Sequence, residues 1–238
     1  MHATNINNSN DCIRDCITIG RMAPNFTALS TNGFITLSQF RGKWVMLLSE
    51  PSAFAAVPTT SIVELARMYD EFKRRNVQPL VVTLDNNFSN IEWLKSIYNN
   101  YNIEVPFPIL EDRDKNIADS YGMVNPDRIY EESIRDLFII SPSGKIRAII
   151  TYPVSCGRNF YEILRVIDSL QLTETHNVYT PSNWMPGDPV IIPSVSTFEE
   201  AINIEDMAKS KGLDCTTWYN CYENYYNLGY PTIVDTEI

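Results

Sequence analysis

Cys12, Cys16, Cys156, Cys215 and Cys221 are the side chains best equipped for covalent or redox chemistry in this 238-residue chain. Five cysteines are too few for a disulfide scaffold in a chain of this length. Only His2 and His176 offer imidazoles, and no pair of short-range ligands recurs, so neither a zinc site nor any other cofactor is expected. Cys215 and Cys221 are six apart. On a continuous helix their Cα atoms would lie about 9 Å apart at 1.5 Å rise per residue, beyond the roughly 7 Å reach of a disulfide. They are either two free thiols or a bridge that requires a broken helix. Cys12 and Cys16 sit in a polar, Asn-rich stretch, where they either cross-link chains or belong to a disordered extension.

Composition narrows the classes. A formal charge of −10 argues against a nucleic-acid partner, whose binding needs clustered Lys and Arg, and fits a soluble surface. No apolar run approaches the roughly 18 residues of a membrane span. Residues 1–18 lack a basic and then apolar leader, so no secretory signal is read and synthesis in the cytoplasm is expected.

The elements that would position any chemistry follow from the hydrophobic pattern. Phe34 to Phe40 alternates like a strand, and Trp44 to Leu48 is a continuous apolar run, as in a strand covered on both faces. Ile62, Leu65, Ala66, Tyr69 and Phe72 form one stripe of a helix expected over 58–75. Pro79 is placed at the entry of a strand over 80–84, and a second helix over 89–101 turns Ile91, Leu94, Ile97 and Tyr98 inward. Pro106 and Pro108 mark the segment to Leu110 as edge-like. Residues 141–144 read as a hairpin turn between strands, and Phe160, Ile163, Leu164, Ile167 and Leu170 stripe a last helix.

Strand, helix, strand, helix, hairpin and helix predict an α/β fold with a mixed central sheet and helices on both faces. The expected organisation is a flexible extension over 1–18, a core over 19–172 and a C-terminal arm over 173–238. In the arm, a turn-rich stretch over 180–189 precedes a short strand at Val190 to Ile192. Ser196 to Glu199 reads as a capping box. The tyrosine-rich end over 218–230 is either a partner surface or a small local core.

Several separated motifs occur in an order that resembles the peroxiredoxin family, in its one-cysteine, long-arm subgroup. Met22-Ala23-Pro24-Asn25-Phe26 is similar to the family's opening. Ser49-Glu50-Pro51-Ser52-Ala53-Phe54-Ala55-Ala56-Val57-Pro58-Thr59-Thr60 is similar to its active-site segment, Ser-His-Pro-x-x-Phe-Thr-Pro-Val-Cys-Thr-Thr. Ile134 to Ile140 and Gly157 to Phe160 resemble the two arginine-bearing segments, and Asn183 to Pro193 the arm. The resemblance covers roughly residues 19–200. It implies a thioredoxin-like fold and a homodimer or larger homo-oligomer whose arms embrace the partner.

It also implies a chemistry. A thiolate attacks the peroxide oxygen, its pKa lowered by a helix N-terminus and nearby cations. Arg135 and Arg158 stand where the family keeps those cations, and Pro51 and Trp93 fit the shield around the thiolate. Pro58 stands in the nucleophile's place. Ala55 replaces the threonine, Glu50 the histidine, and Ser61 a glutamate that would orient an arginine. Proline is tolerated in a first helical turn, so the fold survives the exchange, and Glu50 is expected to pair with Arg135 or Arg158. The phospholipase activity credited to animal relatives uses a Gly-x-Ser-x-Gly serine; the matching stretch here, Arg41-Gly42-Lys43-Trp44-Val45, has none.

The expected function is therefore a peroxiredoxin-like module without catalysis at the usual site, used for dimerisation, assembly or attachment. The alternative is residual thiol peroxidase activity through Cys156, Cys215 or Cys221, with Cys156 as either a relocated nucleophile beside Arg158 or a small loop residue. A small-anion site between the arginines is a third reading. Many Asn and Ile beside only 9 Gly suggest an AT-rich genome. The end of the chain over 230–238 is similar to a linker, as in clostridial spore-coat proteins that join a peroxiredoxin-like module to a chitinase. That likeness implies coat or assembly proteins as partners and a place in the spore coat.

Overall fold

The apolar run at Trp44 lies inside a seven-stranded mixed sheet in the computed structural model, which describes residues 17–123 and 135–224. Its strands are β1 (Thr27–Ser30), β2 (Gly33–Thr36), β3 (Trp44–Glu50), β4 (Val77–Thr83), β5 (Ile109–Glu111), β6 (Arg135–Ile140) and β7 (Ile146–Tyr152). They lie in the order β2-β1-β5-β4-β3-β6-β7. β3, β4 and β5 pair in parallel and the other neighbours antiparallel. Every residue of β3 and β6 is buried, as their apolar runs require, and Ser49, Glu50, Arg135 and Asp136 are buried with them. Helices α1 (Ala56–Arg67), α2 (Tyr69–Arg74), α3 (Asn87–Tyr101) and α4 (Asn116–Ser120) complete this mixed α/β unit, which ends at Phe160. It is the mixed α/β class the element order predicts, with the thioredoxin-like fold the resemblance implies.

A second unit starts at Tyr161. It holds most of α5 (Phe160–Thr175), then β8 (Val190–Ile191), α6 (Phe198–Ile202), α7 (Ile204–Lys211), β9 (Asp214–Thr217) and β10 (Asn220–Glu223). The three strands form a small sheet in the order β8-β10-β9. Leu172, Val178, Trp184 and Val190 make its core. The Trp184 indole donates to the Asp188 carbonyl at 3.1 Å, so the ring is buried without an unpaired N–H.

Several local expectations are corrected. β2 stops at Thr36, because the Gln39 side chain accepts from the Thr36 N–H and Leu37–Phe40 closes as a 3₁₀ turn. The helix expected over 58–75 breaks at Met68 into α1 and α2, although Ile62, Leu65, Met68 and Phe72 all remain buried. Pro79 lies within β4 and not at its entry. It is tolerated because β5 meets β4 only from Val81, so no strand stands where the missing N–H would point. The segment around Pro106 and Pro108 leads into β5, which lies between β1 and β4 and not at an edge; both prolines precede the three paired residues.

The inward face of α3 is rotated from the one predicted. Asn90, Trp93 and Ile97 are buried, whereas Ile91 and Tyr98 are 40% and 56% exposed. Two polar anchors set the rotation: Thr83 Oγ1 donates to Asn90 Oδ1 at 2.9 Å, and Trp93 Nε1 donates to Thr59 Oγ1 at 3.0 Å. The capping box uses Thr197 with Glu200, one residue later than read. Cys215 and Cys221 form a disulfide, not on a broken helix but directly opposite each other on β9 and β10. Cross-strand neighbours, unlike residues six apart on a helix, lie within bridging distance. Residues 1–16, with Cys12 and Cys16, and the end from 225 onward lie outside the described residues.

Candidate functional site

Sheet register places the candidate side chains in one row. β3 pairs with β6 from Val45 opposite Ile140 to Leu48 opposite Leu137. Continued by two residues, that register sets Glu50 opposite Arg135. Glu50 also stands opposite Thr83 on β4, and Arg135 opposite Tyr152 on β7. Opposite residues of neighbouring strands project from the same face. The row therefore lies where the parallel strands β3 and β4 end, the edge at which open α/β sheets commonly hold their sites.

Glu50 bridges two arginines. Its carboxylate accepts from Arg135 Nε at 3.1 Å and Nη2 at 3.2 Å. A further bond comes from Arg158 Nη1. Arg135 also donates from Nη2 to Ser61 Oγ at 2.6 Å and from Nη1 to the Cys156 carbonyl. Arg158 Nη2 donates to the Ser49 carbonyl at 2.7 Å and the Asp136 carbonyl at 3.2 Å. Arg158 Nε is buried without a partner. The arginine side chains are 0% exposed and that of Glu50 1%, so solvent contributes nothing to the pairing. Burial holds the Arg158 guanidinium below its ordinary range; Glu50 pulls it back up and Arg135 adds to the depression. Its carbon lies 6.0 Å from the Tyr152 ring centre.

Pro58 enters this arrangement through α1. Ala55 caps that helix without a side-chain bond, and Thr59 N–H donates to the Ala55 carbonyl at 3.0 Å as the first intrahelical bond. Pro58 is thus the third residue of the first turn, where no N–H is needed. It is buried, and Ser61, one turn on, carries the helix face to Arg135. Between β3 and α1, Pro51 is buried, Ala53 N–H donates to Asp85 Oδ2 at 2.6 Å, and Phe54 takes a left-handed φ of 59°.

The cysteines divide. Among the described residues Cys156 is the free one; it is exposed, and its carbonyl rather than its sulfur meets Arg135. Cys215 and Cys221 belong to the second unit and are tied to each other. Groups absent from the sequence reading also hold the site. Ser49 Oγ accepts from the Asp136 N–H at 2.9 Å, and Asp136 Oδ1 accepts from Thr151 Oγ1 at 2.6 Å. Burial raises the Asp136 pKa, against the bond from Thr151 and the Arg158 charge. A cavity of about 360 Å3, lined by Tyr121, Asp136, Phe138, Ile149 and Thr151, opens beside the alternate residues of β6 and so on the face opposite Arg135. Among the described residues no cluster of three or more His, Cys, Asp or Glu is set to hold a metal, and no helix is long and apolar enough to cross a membrane.

Comparison with known proteins supplies the family. Residues 19–149 match the AhpC/TSA family, and residues 169–207 match the C-terminal domain of 1-Cys peroxiredoxin. The chain is 42% identical over 205 residues to peroxiredoxin 2 of Caldanaerobacter subterraneus, a match spanning 86% of this chain and 92% of the relative. It is 38% identical to the 1-Cys peroxiredoxin of Dictyostelium discoideum, over 74% of each protein. Among solved structures, the yeast mitochondrial 1-Cys peroxiredoxin superposes with a TM-score of 0.76 at 35% identity, over 87% of this chain and 99% of that one. A cysteine-to-serine mutant of the peroxiredoxin 6 of Arenicola marina gives 0.78 at 34% identity, over 88% and 98%. With both the sheet-bearing core and the arm matched in sequence and fold, the chain belongs to the peroxiredoxin family.

Proposed function

We propose that this peroxiredoxin works as a structural module, for dimerisation or assembly, and has no peroxidase activity at the usual site. The carrying observation is Pro58 in the buried first turn of α1, where the family's motif has its cysteine. Peroxide reduction needs a thiolate electron pair to attack one oxygen, forming a sulfenic acid and releasing the other oxygen as hydroxide or water. A proline ring has no such pair. Glu50, Ala55 and Ser61 depart from the same motif, so the change extends beyond the nucleophile to its surroundings.

The arm and the family's habit of self-association support a homodimer or larger homo-oligomer. Coat or assembly proteins are the partners this reading takes from the likeness of residues 230–238 to a linker in clostridial spore-coat proteins, with the spore coat as its place. The test is peroxide consumption by the purified chain with excess dithiol. The expected rate is that of buffer with dithiol alone.

A second reading rests on Cys156, which is exposed and whose own backbone carbonyl accepts from the Arg135 guanidinium. It assigns residual thiol peroxidase activity to that sulfur. Cys215 and Cys221 would first have to be reduced. Turnover that vanishes on Cys156→Ser would favour this reading over the structural one.

A further inference from the structure

The arginine pair that the family resemblance assigns to peroxide chemistry is here engaged from within at every side-chain nitrogen but Arg158 Nε. Of the side-chain N–H groups on Arg135 and Arg158, those described above go to the Glu50 carboxylate, Ser61 Oγ and the carbonyls of Ser49, Asp136 and Cys156. Arg158 Nε alone among these nitrogens is buried without a partner. The pairing is of the bidentate kind that an external carboxylate or peroxide would otherwise seek.

We infer that the Glu50 carboxylate is a built-in anion that closes the two-arginine site to external anions, and that its removal opens a receptor for small carboxylates. The inference deepens the structural reading above and rests on it. Glu50 is the last residue of a strand paired on both sides, so its carboxylate is held at the arginines by backbone that is already ordered. An intramolecular group of this kind acts at a high effective concentration, against which millimolar free anions do not compete.

Glu50→Ala excises a CH2–COO− group whose hydrogen-capped equivalent is acetate. It leaves two fully buried guanidiniums with no carboxylate between them, and each then disfavours the charge of the other. The vacated space carries the donors Arg135 Nε and Nη2 and Arg158 Nη1, and the unpartnered Arg158 Nε adds to the positive potential around it. An anion that binds the folded variant but not its unfolded chain raises its stability with concentration and then levels off.

The experiment compares thermal unfolding of the natural chain and of Glu50→Ala in sodium acetate and in sodium chloride at equal ionic strength, up to about 100 mM. A saturable acetate-specific rise in midpoint for the variant, with none for the natural chain, is expected. No response in a folded variant, or an equal response in both proteins, overturns the inference.

Should Glu50→Ala not fold, a second pair decides: Ala55→Thr with Pro58→Cys, made with and without Glu50→His. With Glu50 present, the thiol at position 58 competes with a carboxylate for the arginines and titrates near the ordinary 8.5 or so. With Glu50→His its pKa falls, and peroxide consumption at pH 7 rises about 30-fold, the gain in thiolate fraction for a thiol moved well below neutrality. Equal thiol pKa and equal rates in the two would overturn the inference and leave the structural reading standing. Turnover by the natural chain would instead sink that reading, while the acetate response would still be judged on its own.

Discussion

A carboxylate between two buried guanidiniums is expensive to assemble and expensive to break. Each ion gives up hydration, and only close, multiply bonded geometry offsets that loss. Removing the one anion strands two cations, so Glu50→Gln is expected to lower the free energy of unfolding at pH 7 by about 3–5 kcal/mol, measured by urea titration. An unchanged value would mean that the carbonyls of Ser49, Asp136 and Cys156 suffice to hold the arginines.

Asp136 gives a second, pH-dependent case. Burial raises its pKa in the folded state, so the native fold favours the protonated form and loses stability as pH rises through that value. Asp136→Asn is expected to raise the thermal midpoint at pH 7. The difference should vanish below the ordinary aspartate range of about 3.9; a midpoint lowered at pH 7 would show that attraction to Arg158 outweighs burial. The departures at Glu50, Ala55, Pro58 and Ser61 were legible in the sequence because they interrupt a dense motif. Ser49, Asp136 and Tyr152 were not, since their place at the site depends on strand register, which residue types do not reveal.

Among elements, the β9–β10 hairpin shows most clearly how an assumed element misleads. Six residues is too long a step for a disulfide along a helix but suits two strands that double back, and Cys215 faces Cys221 in register. Closing so short a loop removes unfolded-state entropy worth about 2 kcal/mol on the chain-entropy account. Cys221→Ser is therefore expected to speed amide exchange in β9 and β10 about 30-fold, at tenfold per 1.4 kcal/mol, while β3 and β6 keep their rates. Equal acceleration everywhere would mean that the hairpin does not open on its own. The buried face of α3 departs from its apolar periodicity for a related reason. Periodicity counts apolar residues, whereas Asn90 and Trp93 are fixed by hydrogen bonds to Thr83 and Thr59 on other elements. Continuous apolar runs were the safer signal, as β3 and the hairpin of β6 and β7 illustrate.

For the whole molecule, the order of elements was enough to reach a mixed α/β class, and the motifs enough to reach the family. The arm was harder to read, because its core of Leu172, Val178, Trp184 and Val190 is assembled from residues scattered through turns. The structural role proposed for the module requires self-association. Light scattering of the purified chain should give at least twice its 27.2 kDa mass, and a monomer at micromolar concentration would contradict the embracing-arm arrangement. Whether Pro58 has ended peroxide chemistry in this chain is decided by following peroxide loss in the presence of the natural chain and excess dithiol. A rate no greater than that of dithiol alone, unchanged by Cys156→Ser, is expected. Catalytic turnover proportional to protein concentration would mean that the chain is a working peroxidase.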